Sequence, residues 1–249
     1  MSSSAAAILG SAIYELGSLE NGSAATISIG VTANDRRSGR TRWPQAFGII
    51  LMKENSMRKL IVSEFMTLDG VMQAPGGKDE DRDGGFEHGG WTWPYWHDEI
   101  GNTFGVLMQG ADALLLGRRT YVIHAQAFEP MPAGDPFGDM MNAPKKYVVS
   151  RTLEKPIWRD TTIIRENVIE SVRALKAQAG GNILTDGSSQ LVHALLEHDL
   201  VDELHLLVYP LTLGSGKRLL PNGVHKTFTL VKSATTYPTG VVGLHYARQ

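Results

Sequence analysis

The chain has 249 residues, 42% of them hydrophobic, a formal net charge of −2 and no cysteine. That is enough apolar sequence for one large or two small domains with a real core. The missing cysteine excludes disulfides, thiolate metal sites and cysteine nucleophiles, and sets a cytoplasmic location as the expectation. Scattered Lys and Arg form no basic stripe for nucleic acid, and no run approaches the roughly 18–20 apolar residues that span a bilayer.

Residues 1–56 are rich in Ser, Ala and Gly, and their apolar residues keep no steady period. No basic residue precedes the apolar patch near Ala5, so a secretory signal matches poorly. The segment reads as a weakly structured N-terminal extension, because it offers little apolar surface against the entropy of ordering. Lys53-Glu54 is compatible with a ribosome-binding sequence just ahead of a Met57 codon. A native start at Met57 is therefore an expectation, to be checked on the DNA at those codons.

From Met57 the pattern tightens. Lys59 to Met66, Ala113 to Leu116, Tyr147 to Val149, Thr161 to Ile164 and Asn182 to Thr185 are short apolar runs bounded by polar residues or Gly, as in strands buried on both faces. Asn167 as N-cap with Glu170 opens a helix whose apolar face is Ile169, Val172, Leu175 and Ala179, and Gly180-Gly181 stops it. A second helix runs from Ser189 to His198. Strands are expected at Glu203–Tyr209, Thr227–Ser233 and Val241–Ala247, the last two joined by a Pro238-Thr239-Gly240 turn. The fold class is α/β, a mostly parallel central sheet flanked by helices with an antiparallel C-terminal hairpin.

In such sheets ligands lie beyond the carboxyl ends of the strands. Thr67-Leu68-Asp69-Gly70, Gly117-Arg118-Arg119-Thr120-Tyr121, Ser150-Arg151-Thr152 and Asp186-Gly187-Ser188-Ser189-Gln190 each follow a strand. A Gly-Ser-Ser turn at a helix start offers amides to an anion, and arginines on neighbouring loops clamp phosphates. Singly, each is more often an ordinary turn or a solvated loop residue. The loop from Gln73 to Trp96 carries Trp91, Trp93, Tyr95 and Trp96, a set that either stacks on a planar substrate or plugs an apolar surface. Asp79, Asp81 and Asp83 match only the first half of a calcium loop, since Gly90 stands at its twelfth position. Gly214-Ser215-Gly216-Lys217-Arg218 fails the spacing of a phosphate loop and reads as a strand connection. No metal is expected: His193 and His198 point apart on their helix, and His205 reads as a satisfied core histidine.

The order of these motifs, with Leu200-Val201-Asp202-Glu203-Leu204-His205 and Pro210-Leu211-Thr212-Leu213-Gly214 after them, resembles the dihydrofolate reductase-like superfamily over residues 57–249. It is most similar to the reductase domain of riboflavin-biosynthesis deaminase/reductases and its stand-alone relatives. The resemblance implies NADPH as hydride donor. Gly117, Arg118 and Thr120 would lie on its adenosine and phosphate side, Ser150 and Arg151 near the 2′-phosphate, and Gly187, Ser188, Ser189 and Gln190 around the pyrophosphate. It also implies a homodimer. Asp69 is the first candidate for substrate binding or proton relay, with Asp98, Glu99 and Asp186 behind it, and Trp91, Trp93 and Trp96 against the substrate.

The chain departs from both named substrate types. Trp96 stands two residues after Pro94, where folate-reducing members approach their carboxylate. Ser63 replaces the Lys of riboflavin-pathway members and Asp186 their Glu, and an accompanying zinc deaminase domain would need cysteines. The expected function is NADPH-dependent reduction of a small heterocyclic or carbonyl substrate. The alternatives are a pyrimidine reductase of the 5-amino-6-ribosylaminouracil type, or a non-catalytic ligand-binding module on the same fold.

Overall fold

The computed structural model describes residues 57–249 and, nearer the N-terminus, three strands: β1 (Ala5–Leu9), β2 (Ala12–Ser18) and β3 (Ala25–Val31). These pair antiparallel in the order β1-β2-β3. The β-branched alternation Ile27, Ile29, Val31 is suited to a strand. The remainder of 1–56, including Lys53-Glu54, lies outside the described residues. The chain divides into two compact units, Met1–Ser56 and Met57–Gln249.

The second unit runs β4 (Leu60–Thr67), α1 (Asp98–Gln109), β5 (Ala111–Gly117), α2 (Arg118–Phe128), α3 (Pro136–Asn142), β6 (Lys145–Val149), β7 (Thr161–Ile164), α4 (Val168–Lys176), β8 (Asn182–Thr185), α5 (Ser189–Glu197), β9 (Glu203–Tyr209), β10 (Phe228–Leu230), β11 (Thr235–Thr236) and β12 (Val242–Arg248). The sheet order is β10-β12-β9-β4-β8-β5-β6-β7, with β11 on β12. From β9 to β7 every pair is parallel, whereas β10, β11 and β9 all meet β12 antiparallel. This is the mixed α/β architecture expected from the sequence.

Strand side chains alternate between two buried faces. Leu60, Val62, Ala113, Leu115 and Ile183 pack with Val172 and Leu175 of α4 and with Leu191, Leu195 and Leu196 of α5. Ile61, Leu114, Leu116 and Leu184 pack on the other face with Met108 of α1, Tyr121 and Ala125 of α2, and Met141 of α3. Each fully buried aliphatic side chain contributes about 1.5–3 kcal/mol, which is why these strands read as continuous apolar runs.

Two local expectations change. Asn167 does begin α4, but it sits in the left-handed region and its side chain makes no capping bond. The last hairpin is broken: the Pro238–Gly240 turn joins β12 to the two-residue β11, not to β10, which covers only three of the expected residues. The turn closes through Gly240 N–H to Tyr237 O at 2.9 Å.

Candidate functional site

Adjacent parallel strands β5 and β8 send their connections to opposite faces of the sheet, since α2 belongs to one core and α5 to the other. Such a switch point leaves a crevice beyond the strands' carboxyl ends. A cavity of about 1170 Å³ opens there, lined from the ends of β4, β5, β6 and β8 and by the Gln73–Trp96 loop.

One wall gathers two helix N-termini and two arginines. Helices α2 and α5 both start in the groove, after Gly117 and Ser188, and neither N-terminus has a side-chain capping bond. Their first amides are thus left without the usual internal partner. The two loop tips touch: a β-carbon on Gly117 would collide with the Ser188 side chain, and one on Gly187 would lie 2.7 Å from Thr120 Cγ2. Only glycine permits this approach. Ser188 itself has φ 77°, a strained setting for a residue with a side chain. Arg118 and Arg151 line the same groove, and neither guanidinium is in an ion pair among the described residues. Ser150 accepts from Thr152 N and Leu153 N at 3.2 and 2.9 Å, holding the turn that carries Arg151. All nine residues expected to meet the cofactor, together with Asp186, Trp93 and Trp96, line this one cavity.

The floor is acidic. Glu64 of β4 is buried, lines the cavity, and its Oε1 has no hydrogen-bond partner among the described residues, as is also true of Thr185 Oγ1 and Asp186 Oδ1. Burial, then the charges of Asp186 and Glu80, hold the Glu64 carboxyl well above the usual carboxylate range. Burial also raises Glu80, against two amide bonds from Gly76 and Gly77. Asp186 Oδ2 meets His124 Nε2 at 3.0 Å. Burial opposes charge on that imidazole, but the charge and hydrogen bond of Asp186 together with the charge of Glu80 outweigh it, and the His124 pKa is raised. Glu64, Glu80 and His124 were not among the sequence candidates. The available signal was a carboxylate in the middle of the apolar run from Leu60 to Met66.

The Gln73–Trp96 loop is fastened over this region by charge. Lys217 Nζ reaches Asp81 at 2.5 Å and Asp83 at 3.1 Å, and Arg119 pairs with the same two aspartates. Hydrogen bonds from Arg119 and then Lys217 pull Asp83 down to about 2. The half calcium motif and the Gly-rich Lys217 loop thus serve each other. Trp93 and Trp96 stand exposed at the cavity with ring centroids 6.3 Å apart.

Four expected site residues are not brought to the groove. Asp69 accepts from Thr67 Oγ1 at 2.5 Å, Leu213 N at 3.2 Å and Gly214 N at 2.8 Å. Thr67 foremost, then those amides, lower its pKa. Its carboxylate oxygens are engaged in clamping one loop to another. Asp98 and Glu99 occupy the first turn of α1, with His97 as N-cap, where acids complement the helix dipole. Trp91 is buried, donates to Gln73 O at 2.8 Å and packs edge-on against Tyr209 at 5.2 Å. It is the plug, and Trp93 and Trp96 are the exposed pair.

Residues 58–242 match the RibD C-terminal domain family. The uncharacterized protein YyaP of Bacillus subtilis (strain 168) is 26% identical over 192 residues, 76% of this chain and 94% of its own length. Among solved structures, a pyrimidine reductase-like protein from Corynebacterium diphtheriae superposes with TM-score 0.54 at 14% identity, covering 78% of this chain and 93% of that one. Dihydrofolate reductase from Enterococcus faecalis, solved with NADP(H), gives TM-score 0.51 at 14% identity over 77% and 96% of the two chains. The fold is therefore dihydrofolate reductase-like, and this chain belongs to the RibD C-terminal domain family.

Proposed function

We propose that the protein is an NADPH-dependent reductase of a small, planar heterocyclic or carbonyl substrate. The observation that carries this reading is the meeting in one cavity of two uncapped helix N-termini, two arginines in no ion pair among the described residues, and the buried Glu64 carboxyl. The cradle fits a phosphorylated dinucleotide: amides of the Gly187–Gln190 turn for the pyrophosphate, Gly117, Arg118 and Thr120 beside it, Arg151 for the 2′-phosphate. Bound NADPH supplies the hydride.

The chain supplies binding, exclusion of water and a proton. Trp93 and Trp96 flank a planar substrate. Burial favours the protonated form of Glu64, which would give that proton to the nitrogen or oxygen of a C=N or C=O bond while the cofactor's hydride enters at carbon, so that one hydride and one proton enter the substrate and Glu64 is left ionised. The Asp186–His124 pair, at 3.0 Å, returns the proton from solvent. Ser63 and Asp186, where riboflavin-pathway members carry Lys and Glu, favour a substrate other than theirs.

Titrating NADPH against intrinsic tryptophan fluorescence tests the cofactor. Saturable quenching is expected, and no response to NADPH or NADH would remove the reading. A panel of heterocyclic and carbonyl compounds then tests turnover by loss of reduced-nicotinamide absorbance. Tight binding with no oxidation across the panel would leave a binding module in place of an enzyme.

A further inference from the structure

At the seam between the parallel body of the sheet and its antiparallel end, three side chains converge on one point. Glu203 and His205 are two apart on β9 and so share a sheet face, and His245 of β12 lies directly opposite His205 in the antiparallel register. Both imidazole Nε2 atoms approach the same carboxylate oxygen, Glu203 Oε2, at 3.0 Å. The rings stack with centroids 3.8 Å apart and planes inclined by 34°. Lys59 Nζ holds the other oxygen, Oε1, at 2.7 Å, which fixes the carboxylate with Oε2 turned toward both imidazoles. The three side chains are mostly buried, at 11, 19 and 18% exposure for Glu203, His205 and His245, but open enough for an ion to enter.

We propose that Glu203, His205 and His245 form a binding site for a divalent transition-metal ion of the zinc class. The donor atoms all lie within 4.8 Å of one another. An ion about 2.0–2.1 Å from each Nε2 and from Oε2 would see the 3.0 Å separations at about 95°, within reach of tetrahedral or five-coordinate geometry after a few tenths of an ångström of movement. Two imidazoles and one carboxylate suit zinc, cobalt or nickel far better than calcium or magnesium, which want oxygen donors. Three protein donors leave a position for water. The ion would also tie β12 to β9, fastening the C-terminal strands to the sheet. The site is separate from the groove and does not depend on the reductase reading.

The test uses the whole chain, first treated with a chelator and then dialysed. Cobalt(II) titration should develop visible d–d absorption that saturates at one ion per chain, and calorimetry with zinc should give the same stoichiometry. Zinc at about a hundred times its dissociation constant should raise Tm by about 5–10 °C. His205→Ala and His245→Ala should each weaken zinc binding by about 100-fold or more, while His225→Ala, at an exposed histidine outside the cluster, should leave it unchanged. If either variant folds poorly, imidazole resonances of the native chain report directly, with two histidines shifting on zinc addition. Absence of saturable binding, or equal affinity in the native chain and both cluster variants, would overturn the site.

Discussion

At the scale of single residues, the proposed reductase would depend on the proton that burial favours at Glu64 and on the charge of Arg151. Because the folded pKa of Glu64 is raised, the folded protein holds this proton where the unfolded chain has released it. Stability is thus highest below the ordinary carboxylate range and declines as pH rises toward the folded value. Glu64→Gln removes that decline. At pH 8 it should raise Tm, with no gain near pH 4, as read by calorimetry. The same variant should lower kcat at least about 100-fold, since it cannot give up a proton. Arg151→Ala should weaken NADPH about 10-fold or more and NADH little, as read by fluorescence titration, because only one of the two carries the extra phosphate. Equal losses for both would place Arg151 elsewhere on the nucleotide.

At the scale of elements, the loop tips following β5 and β8 act as one unit. Gly117→Ala would push a methyl into Ser188, displacing the start of α5. It should abolish tryptophan quenching by NADPH while changing Tm by only a few degrees. This level of the molecule was largely legible in the sequence, because a Gly-rich turn between a strand and a helix is a local signal. Strands at Thr161–Ile164, Asn182–Thr185 and Glu203–Tyr209 occur as the hydrophobic pattern indicates. What the sequence concealed were partnerships made across long separations. The Asp69 carboxylate accepts from an amide 144 residues away, a partnership that no local pattern announces. Asp98 and Glu99 fall in the first turn of α1, where they complement its dipole. Glu203 and His245 stand 42 positions apart, so no ligand spacing announces them; only strand register brings them together. The broken final hairpin has a similar origin, since β12 chooses two partners in succession and turn chemistry speaks for only one of them.

At the scale of the whole molecule, Met57–Gln249 is a compact unit in its own right, and residues 58–242 of it match the RibD C-terminal domain family. A chain beginning at Met57 should therefore fold alone, with a Tm within about 2 °C of the full chain and unchanged NADPH titration. Loss of cooperative melting would show that residues 1–56 are needed. No helix among the described residues is long and apolar enough to cross a membrane. The ionic fastening of Asp81 and Asp83 to Arg119 and Lys217 draws together three stretches that the chain's own order keeps apart. With Asp83 held near 2, its contribution is complete above the usual carboxylate range and fades only as pH falls toward that value. Salt reaches it sooner, since half-exposed charges are shielded within about 8 Å at physiological ionic strength. A nucleotide already seated should therefore escape faster in concentrated potassium chloride than in dilute buffer, by more than slower arrival alone accounts for, as a latch whose grip loosens in brine.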